Sequence, residues 1–200
     1  MKKAAQIFRV IPLRKIALFL IVLLAGYSCK KDDEVGIKNR MVIDGKTFEL
    51  VSGFFDNDPE EQSTADIPPQ HGFAQEVLLL GPGLTMNTST GIVSGKGNAV
   101  VFNPFTSEIA LVAGNFELPV PYTEKIGFLL DAYGCEGYDA GTDDCDVEYE
   151  GDSGTLTISV SGDVYTLKFT GKMTYEDNDG NEITVDVDLF FEGYLKGVDL

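Results

Sequence analysis

The strongest constraint on this chain is a two-residue alternation of apolar and polar side chains. In "EITVDVDLF", residues 182–190, Ile183, Val185, Val187 and Leu189 alternate with Thr184, Asp186 and Asp188. "GTLTISV" sets Leu156, Ile158 and Val160 against Thr155, Thr157 and Ser159. "VYTLKFT" sets Tyr165, Leu167 and Phe169 against Val164, Thr166, Lys168 and Thr170. Side chains of an extended strand point to alternate faces, so this period predicts strands with one dry and one wet face. "SGD" at 161–163 and "DNDG" at 177–180 stand between the runs, and such residues make tight antiparallel turns. Asp186 and Asp188 read as the wet face of a strand.

The N-terminal half follows the same grammar. "MVIDGKTFEL" is two short apolar runs around Asp44-Gly45, a favoured hairpin pair. "FAQEVLLLG", "AVVFNPF", "EIALVAG" and "EKIGFLLDAYG" read as further buried strands, with "GKGN" at 95–98 as a turn. Pro104 belongs at an edge or a bulge, because it cannot donate to a ladder. "DNDPEEQSTADIPPQHG", 56–72, has no period and reads as a long loop; Pro119 and Pro121 mark another break. No helical period, internal repeat or Pro/Ser-rich linker interrupts residues 41–200, which therefore read as a single β-domain. About 8–10 short strands must manage their open edges, which predicts an all-β, antiparallel β-sandwich. A lipocalin-like β-barrel is the alternative; unequal strands and connections favour the sandwich.

The first 28 residues differ in kind. Lys2, Lys3, Arg9, Arg14 and Lys15 precede an uncharged run, "IALFLIVLLAGY" at 16–27, with no acidic residue. Twelve residues are too few for a membrane-spanning helix, which needs about 20. A basic segment, a short apolar run and small residues describe an export signal, here residues 1–28. Cys29 follows immediately, and then "KKDDEVGIKNR", a charged stretch that reads as a flexible tether over residues 29–40. Three cysteines are an odd number; setting Cys29 aside leaves a pair. The other reading is ordinary cleavage nearby, with Cys29 a free thiol or disulfide partner.

The segment around "YSCKKDDE" resembles the signal of Bacteroidota lipoproteins, although Gly26 stands three before the cysteine where Leu is usual. "KKDDE" is similar to the Lys-and-acid signal that directs such lipoproteins to the outer face of the outer membrane. "IDGKTFEL", "SGKGNAVVF" and "SGTLTISVSGDVYTLKF" with the following "DG" hairpin look like small Bacteroidota lipoproteins built as one β-domain. The resemblance implies acylation of Cys29, a lipid-anchored place on the outer membrane facing the cell exterior, and no known catalytic residue.

Charge narrows the partners. Residues 29–200 carry 10 Lys+Arg against 32 Asp+Glu, a formal −22 compared with −17 for the whole chain. Such a surface repels nucleic acid, whose binding rests on basic contacts to phosphate. It also repels anionic headgroups, so only the lipid is expected to touch the membrane.

Few constellations carry chemistry. Cys135 and Cys145 read as a disulfide in an exported protein, closing an 11-residue loop worth about 3 kcal/mol. The same loop, 139–152, holds Asp139, Asp143, Asp144, Asp146, Glu148, Glu150 and Asp152. Carboxylates are the ligands of calcium, so loose calcium binding is one reading of the loop and a solvated acidic loop is the other. In "YEDNDGNEI" Tyr175 stands where an EF-hand would start with an acid, and a hairpin explains Asp179-Gly180. His71 is the only histidine and reads as an exposed loop residue, with no nucleophile elbow to serve. Tyr122, Tyr133, Tyr138 and Tyr149 flank loops and are the candidate sugar-stacking aromatics in a chain without Trp. No catalytic residue and no metal ligand is singled out. The expectation is a non-enzymatic binding or accessory module for a glycan or surface protein. A carrier of a small apolar ligand and a hydrolase using paired carboxylates are the alternatives.

Overall fold

The computed structural model describes residues 38–59, 61–63, 71–118 and 127–199. The expected export signal, Cys29, residues 29–37 of the expected tether, Tyr122 and the prolines at 119 and 121 lie outside them. The first strands are β1 (Arg40–Ile43), β2 (Lys46–Glu49), β3 (Ser52–Asp56), β4 (Glu61–Ser63) and β5 (His71–Ala74). Then come β6 (Val77–Leu80), β7 (Leu84–Asn87), β8 (Ile92–Thr106) and β9 (Gly114–Leu118). The longest strands follow: β10 (Phe128–Asp139), β11 (Val147–Ser161), β12 (Val164–Glu176) and β13 (Glu182–Gly193), before the short β14 (Leu195–Val198). The protein is all-β, and no helix occurs among the described residues.

Eleven strands run β14-β3-β6-β8-β10-β9-β11-β12-β13-β1-β2 in a curled sheet that forms a half-barrel. Two covalent crossings enforce the curl. β2 ends one edge of the sheet, yet only Leu50 and Val51 separate it from β3, next to the other edge. The Leu50 N–H donates to the Asn39 carbonyl at 2.9 Å, and the Val51 N–H donates to the Leu80 carbonyl at 2.8 Å. Adjacent residues are thus bonded to opposite ends of the strand order. β13 likewise reaches β14 across Tyr194 alone.

The concave face holds one apolar cluster drawn from nearly every strand. Met41 and Ile43 (β1), Leu79 (β6), Phe102 (β8), Leu129 (β10), Leu156 and Ile158 (β11), Leu167 and Phe169 (β12) and Leu189 (β13) are all almost fully buried there. The Phe102 and Phe169 rings meet across it with centroids 5.2 Å apart. A smaller cluster lies on the opposite face of β3 and β6, where Phe54, Leu78 and Leu80 are covered by Leu84 from β7. β6 is consequently buried on both faces, which is why "VLLL" lacks alternation.

The C-terminal alternation is realised except at Val160, expected inward but 41% exposed at the end of β11. Leu156, Ile158, Leu167, Phe169, Val185, Val187 and Leu189 face inward, and Ser161↔Val164 closes the turn at 162–163. In the turn after β12, the Asp179 and Asn181 N–H groups donate to the Asp177 carboxylate, each at 2.9 Å. These backbone donors hold the Asp177 carboxyl below the usual carboxylate range. "DNDG" is therefore a self-capped hairpin. Asp44 and Gly45 sit at φ 49° and 74°, the left-handed pair that the Asp-Gly turn requires.

Other expectations are corrected. The sheet is mixed, because β14 runs parallel to β3 and β9 meets β10 in a single parallel pairing. The described residues form fourteen strands rather than 8–10, and one of the additions arises where "FAQEVLLLG" is cut at Gln75, whose N–H donates to the Pro104 carbonyl at 3.0 Å. "GKGN" is no turn: β8 runs through it. A Cβ on Gly95 would lie 2.1 Å from the Gly83 carbonyl oxygen, and one on Gly97 would lie 2.4 Å from that of Pro82. These glycines serve close backbone approach. "EIALVAG" is irregular up to Gly114. Its carbonyls are taken by side chains, Thr106 Oγ1 to Glu108 at 2.6 Å and Gln75 Nε2 to Ile109. The 56–72 segment, expected as a loop, contains β4, which pairs with β5 at Glu61↔Phe73 and Ser63↔His71. Pro104 sits beside a register shift between Leu129 and Ala132.

The Phe102–Phe169 contact sets a stability test. Phe102→Ala is expected to lower the unfolding free energy in urea by about 3–5 kcal/mol, as buried Phe truncations do. Ser159→Ala, on the exposed side of β11, should change it by less than about 0.5 kcal/mol. Comparable losses in the two variants would contradict the assignment of faces.

Candidate functional site: an acidic groove

The convex face of β10–β13 gathers carboxylates at one end. Pairing places Tyr133 beside Glu150, Glu150 beside Thr174, and Thr174 beside Thr184. One residue pair further on, Cys135 faces Glu148, and Glu176 faces Glu182. Since i and i+2 share a face of a strand, these rows present one surface. They form a groove of about 400 Å³, lined chiefly by Tyr133, Glu148, Glu150, Tyr175, Glu176 and Glu182. Among the described residues, no Lys or Arg lines it.

Its floor is braced from within. Tyr149 is buried and packs edge-on against Tyr175, with ring centroids 5.3 Å apart. The Tyr149 hydroxyl donates to Glu136 Oε2 at 3.2 Å, and Lys46 pairs with the same carboxylate at 3.2 Å. Burial and the adjacent Glu136 push the Tyr149 phenol up to about 12, so it stays a neutral donor. On β10, burial and the nearby Glu150 carboxylate raise the Asp131 carboxyl above its ordinary range, while a hydrogen bond from Tyr133 opposes the shift. Burial, together with Asp131, Glu150 and Glu148, raises the Tyr133 phenol. The groove thus concentrates negative charge that lacks a lining cation.

Cys135 and Cys145 are joined, with Cα atoms 5.7 Å apart, within the range of a disulfide. The bond anchors the 139–145 lobe to β10 beside the groove. Within the lobe, acids act locally. Asp139 Oδ1 accepts from the Gly141 N–H at 2.9 Å, Asp143 Oδ1 accepts from the Tyr138 hydroxyl at 2.9 Å, and Asp144 Oδ1 accepts from the Cys145 N–H at 3.0 Å. Asp146 lies 3.7 Å from Lys96. Among the described residues, no three His, Cys, Asp or Glu side chains converge as a metal cage.

Of the tyrosines singled out, Tyr133 is outward on β10 and 37% exposed, Tyr138 is tied to Asp143, and Tyr149 is buried beneath the groove. His71 is exposed at the start of β5, away from these rows. Asp146, Glu148 and Glu150 line the groove, whereas Asp139, Asp143 and Asp144 do not. Asp131, Glu176 and Glu182 are additions that no local pattern marks. Only register brings them together, and register is set by turns and burial elsewhere in the sheet.

A raised carboxyl implies a defined pH dependence. Asp131 binds its proton more tightly in the folded state, so its charge costs stability once pH rises above the folded value. That cost is absent in acid, below the unfolded value. Asp131→Asn should therefore raise the urea midpoint at pH 7 and leave it nearly unchanged at pH 3. A stabilisation equal at both pH values would show that charge is not its cause.

No family model matches this chain, and no curated protein sequence or solved structure matches it either.

Proposed function

We propose that the chain is a lipid-anchored, surface-displayed binding module without catalytic activity, and that the acidic groove is its contact surface. The carrying observation is a groove in which Glu148, Glu150, Glu176 and Glu182 flank Tyr133 and Tyr175 with no lining cation. Charge of this kind favours a basic partner and speeds its encounter. Tyrosine supplies contact area with a polar tip. Among the expected partners, a protein presenting Lys or Arg beside an apolar contact fits better than a neutral glycan. The anchor is read from the residues before and after Cys29, a basic segment and short apolar run followed by a charged tether.

The carrier reading fares less well. We read the curl as the wall of an incompletely closed barrel, since one continuous sheet supplies both sides of the interior. A carrier needs an empty apolar interior. Here Phe102, Phe169, Leu156, Leu167 and Met173 fill the space between opposing strands. The hydrolase reading rests on one observation, the like-charged Asp131 and Glu150, which raises the Asp131 carboxyl in the manner of a proton-holding acid.

Two measurements check this. Protease added to intact cells is expected to remove the domain; survival until the outer membrane is opened would refute surface display. A photo-crosslinking residue placed at Tyr133 should capture a partner on intact cells, whereas the same residue at Ser159 should not. Equal capture at both positions, or none, would sink the groove as the contact surface.

A further inference from the structure

Among the described residues, Gln75 and Thr106 are the polar side chains, tyrosine aside, that lie fully buried. Register places both. Phe73↔Thr106 and Val77↔Phe102 belong to one unshifted ladder of β5 and β6 against β8, and the Gln75 N–H continues it by donating to the Pro104 carbonyl. Alternate residues of a strand share a face. Gln75 therefore lies on the side of Val77 and Leu79, and Thr106 on the side of Phe102, which is the concave, apolar side. Both stand where that face runs out, at the end of β8.

Both are spent on one segment. After β8 the chain leaves the sheet and returns at Gly114, opposite Ile158 of β11. In between, residues 107–110 are exposed, while Leu111 turns in to join the apolar cluster. Two side-chain donors tie the segment to the rim: Thr106 Oγ1 donates to the Glu108 carbonyl at 2.6 Å, and Gln75 Nε2 donates to that of Ile109. Residues 107–113 thus form a strap, set by one apolar side chain and tied by two buried polar ones. The Gln75 amide is only half used. Its Oε1 is buried and has no hydrogen-bond partner among the described residues. A buried amide oxygen without a donor is costly, and native interiors rarely keep one. This acceptor belongs to the same amide that holds the strap, two residues from Leu111.

We propose that residues 107–113 are a displaceable strap over a small-molecule site, in which a neutral apolar compound with one N–H or O–H donor takes the place of Leu111 and donates to Gln75 Oε1. The body of the ligand must be apolar, because Leu111 belongs to the apolar cluster. It must be neutral, because Gln75 and Thr106 carry no charge and an unpaired ion is costly to bury. One donor suffices for the one unpartnered acceptor. The ligand is small, since Phe102, Phe169 and Leu156 keep the rest of the interior filled. Such a site opens only when Leu111 leaves, which separates it from a carrier with a standing cavity. It depends on neither the acidic groove nor the anchor.

Indole is a suitable probe. It is neutral and apolar, it carries a single N–H, and its fluorescence is readable because the chain has no Trp. Benzofuran has the same shape without the donor, and its binding is read by displacement of indole. In the unmodified full chain, indole is expected to raise deuterium uptake at 107–113 and to leave β11 and β12 unchanged. Leu111→Ala removes the side chain that must leave, so indole should bind this variant roughly tenfold more tightly than the unmodified chain. In the same variant indole should bind about fivefold more tightly than benzofuran, the worth of one neutral hydrogen bond. Adding Gln75→Met, with the fold checked by circular dichroism, should erase that preference. Equal affinity for indole and benzofuran overturns the role of Gln75 and the site with it. No indole binding, or binding without a rise in uptake at 107–113 in the unmodified chain, overturns the strap. Should Leu111→Ala fail to fold, the comparison of indole with benzofuran on the unmodified chain decides the matter by the same criterion.

Discussion

The structure depends on a closure constraint. Two residues, Leu50 and Val51, carry the chain from one edge of the sheet to the neighbourhood of the other, and Tyr194 makes a second crossing of the same kind. A flat sheet of eleven strands, with neighbours nearly 5 Å apart, would separate its edges by about 45 Å or more. Linkers of one and two residues cannot span that distance, so the sheet must curl. Curling turns the inward side chains of every strand toward one another, and a single apolar interior follows. The Phe102–Phe169 contact, between strands far apart in the order, is a product of that curl.

The same curl sorts the polar residues. Inward positions are taken by Leu, Ile, Val, Phe and Met, so the charge is driven to the convex face. There the long antiparallel ladder of β10 to β13 acts as a ruler. It sets Glu150 beside Tyr133, sets Glu176 beside Glu182, and leaves Lys168 and Phe190 at the opposite end. The disulfide and the side-chain bonds of Asp139, Asp143 and Asp144 hold the lobe beside the acidic end, using local acids as turn caps. Burial beneath the groove keeps Tyr149 protonated, so its hydroxyl remains a donor to Glu136.

Legibility in the sequence followed the range of the forces involved. Alternation in β11, β12 and β13 was readable because side-chain direction along a strand is a local property. The Asp44-Gly45 and Asp179-Gly180 turns were readable for the same reason. "GKGN" was misread because glycine has two uses, left-handed turns and close packing, and only a neighbouring strand distinguishes them. "EIALVAG" was misread because its periodicity competes with side-chain bonds from Thr106 and Gln75. Of the candidate site, Asp146, Glu148, Glu150 and Tyr133 were flagged as members of an acidic, tyrosine-bearing stretch. Asp131, Glu176 and Glu182 were not, because their meaning lies in partners on other strands, thirty or more residues away in some cases.

By itself, the sequence determined that this chain forms strands, where its tightest turns fall and which face of each long strand is dry. It also determined that Cys135 and Cys145 can pair across a short loop. These are consequences of backbone geometry and of the hydrophobic effect acting over a few residues. Tertiary structure alone decided the strand order, the two parallel pairings and which carboxylates meet across neighbouring strands. The reason is that register and closure are set by long-range contacts, and a shift of one residue in register would send every side chain of a strand to the other face.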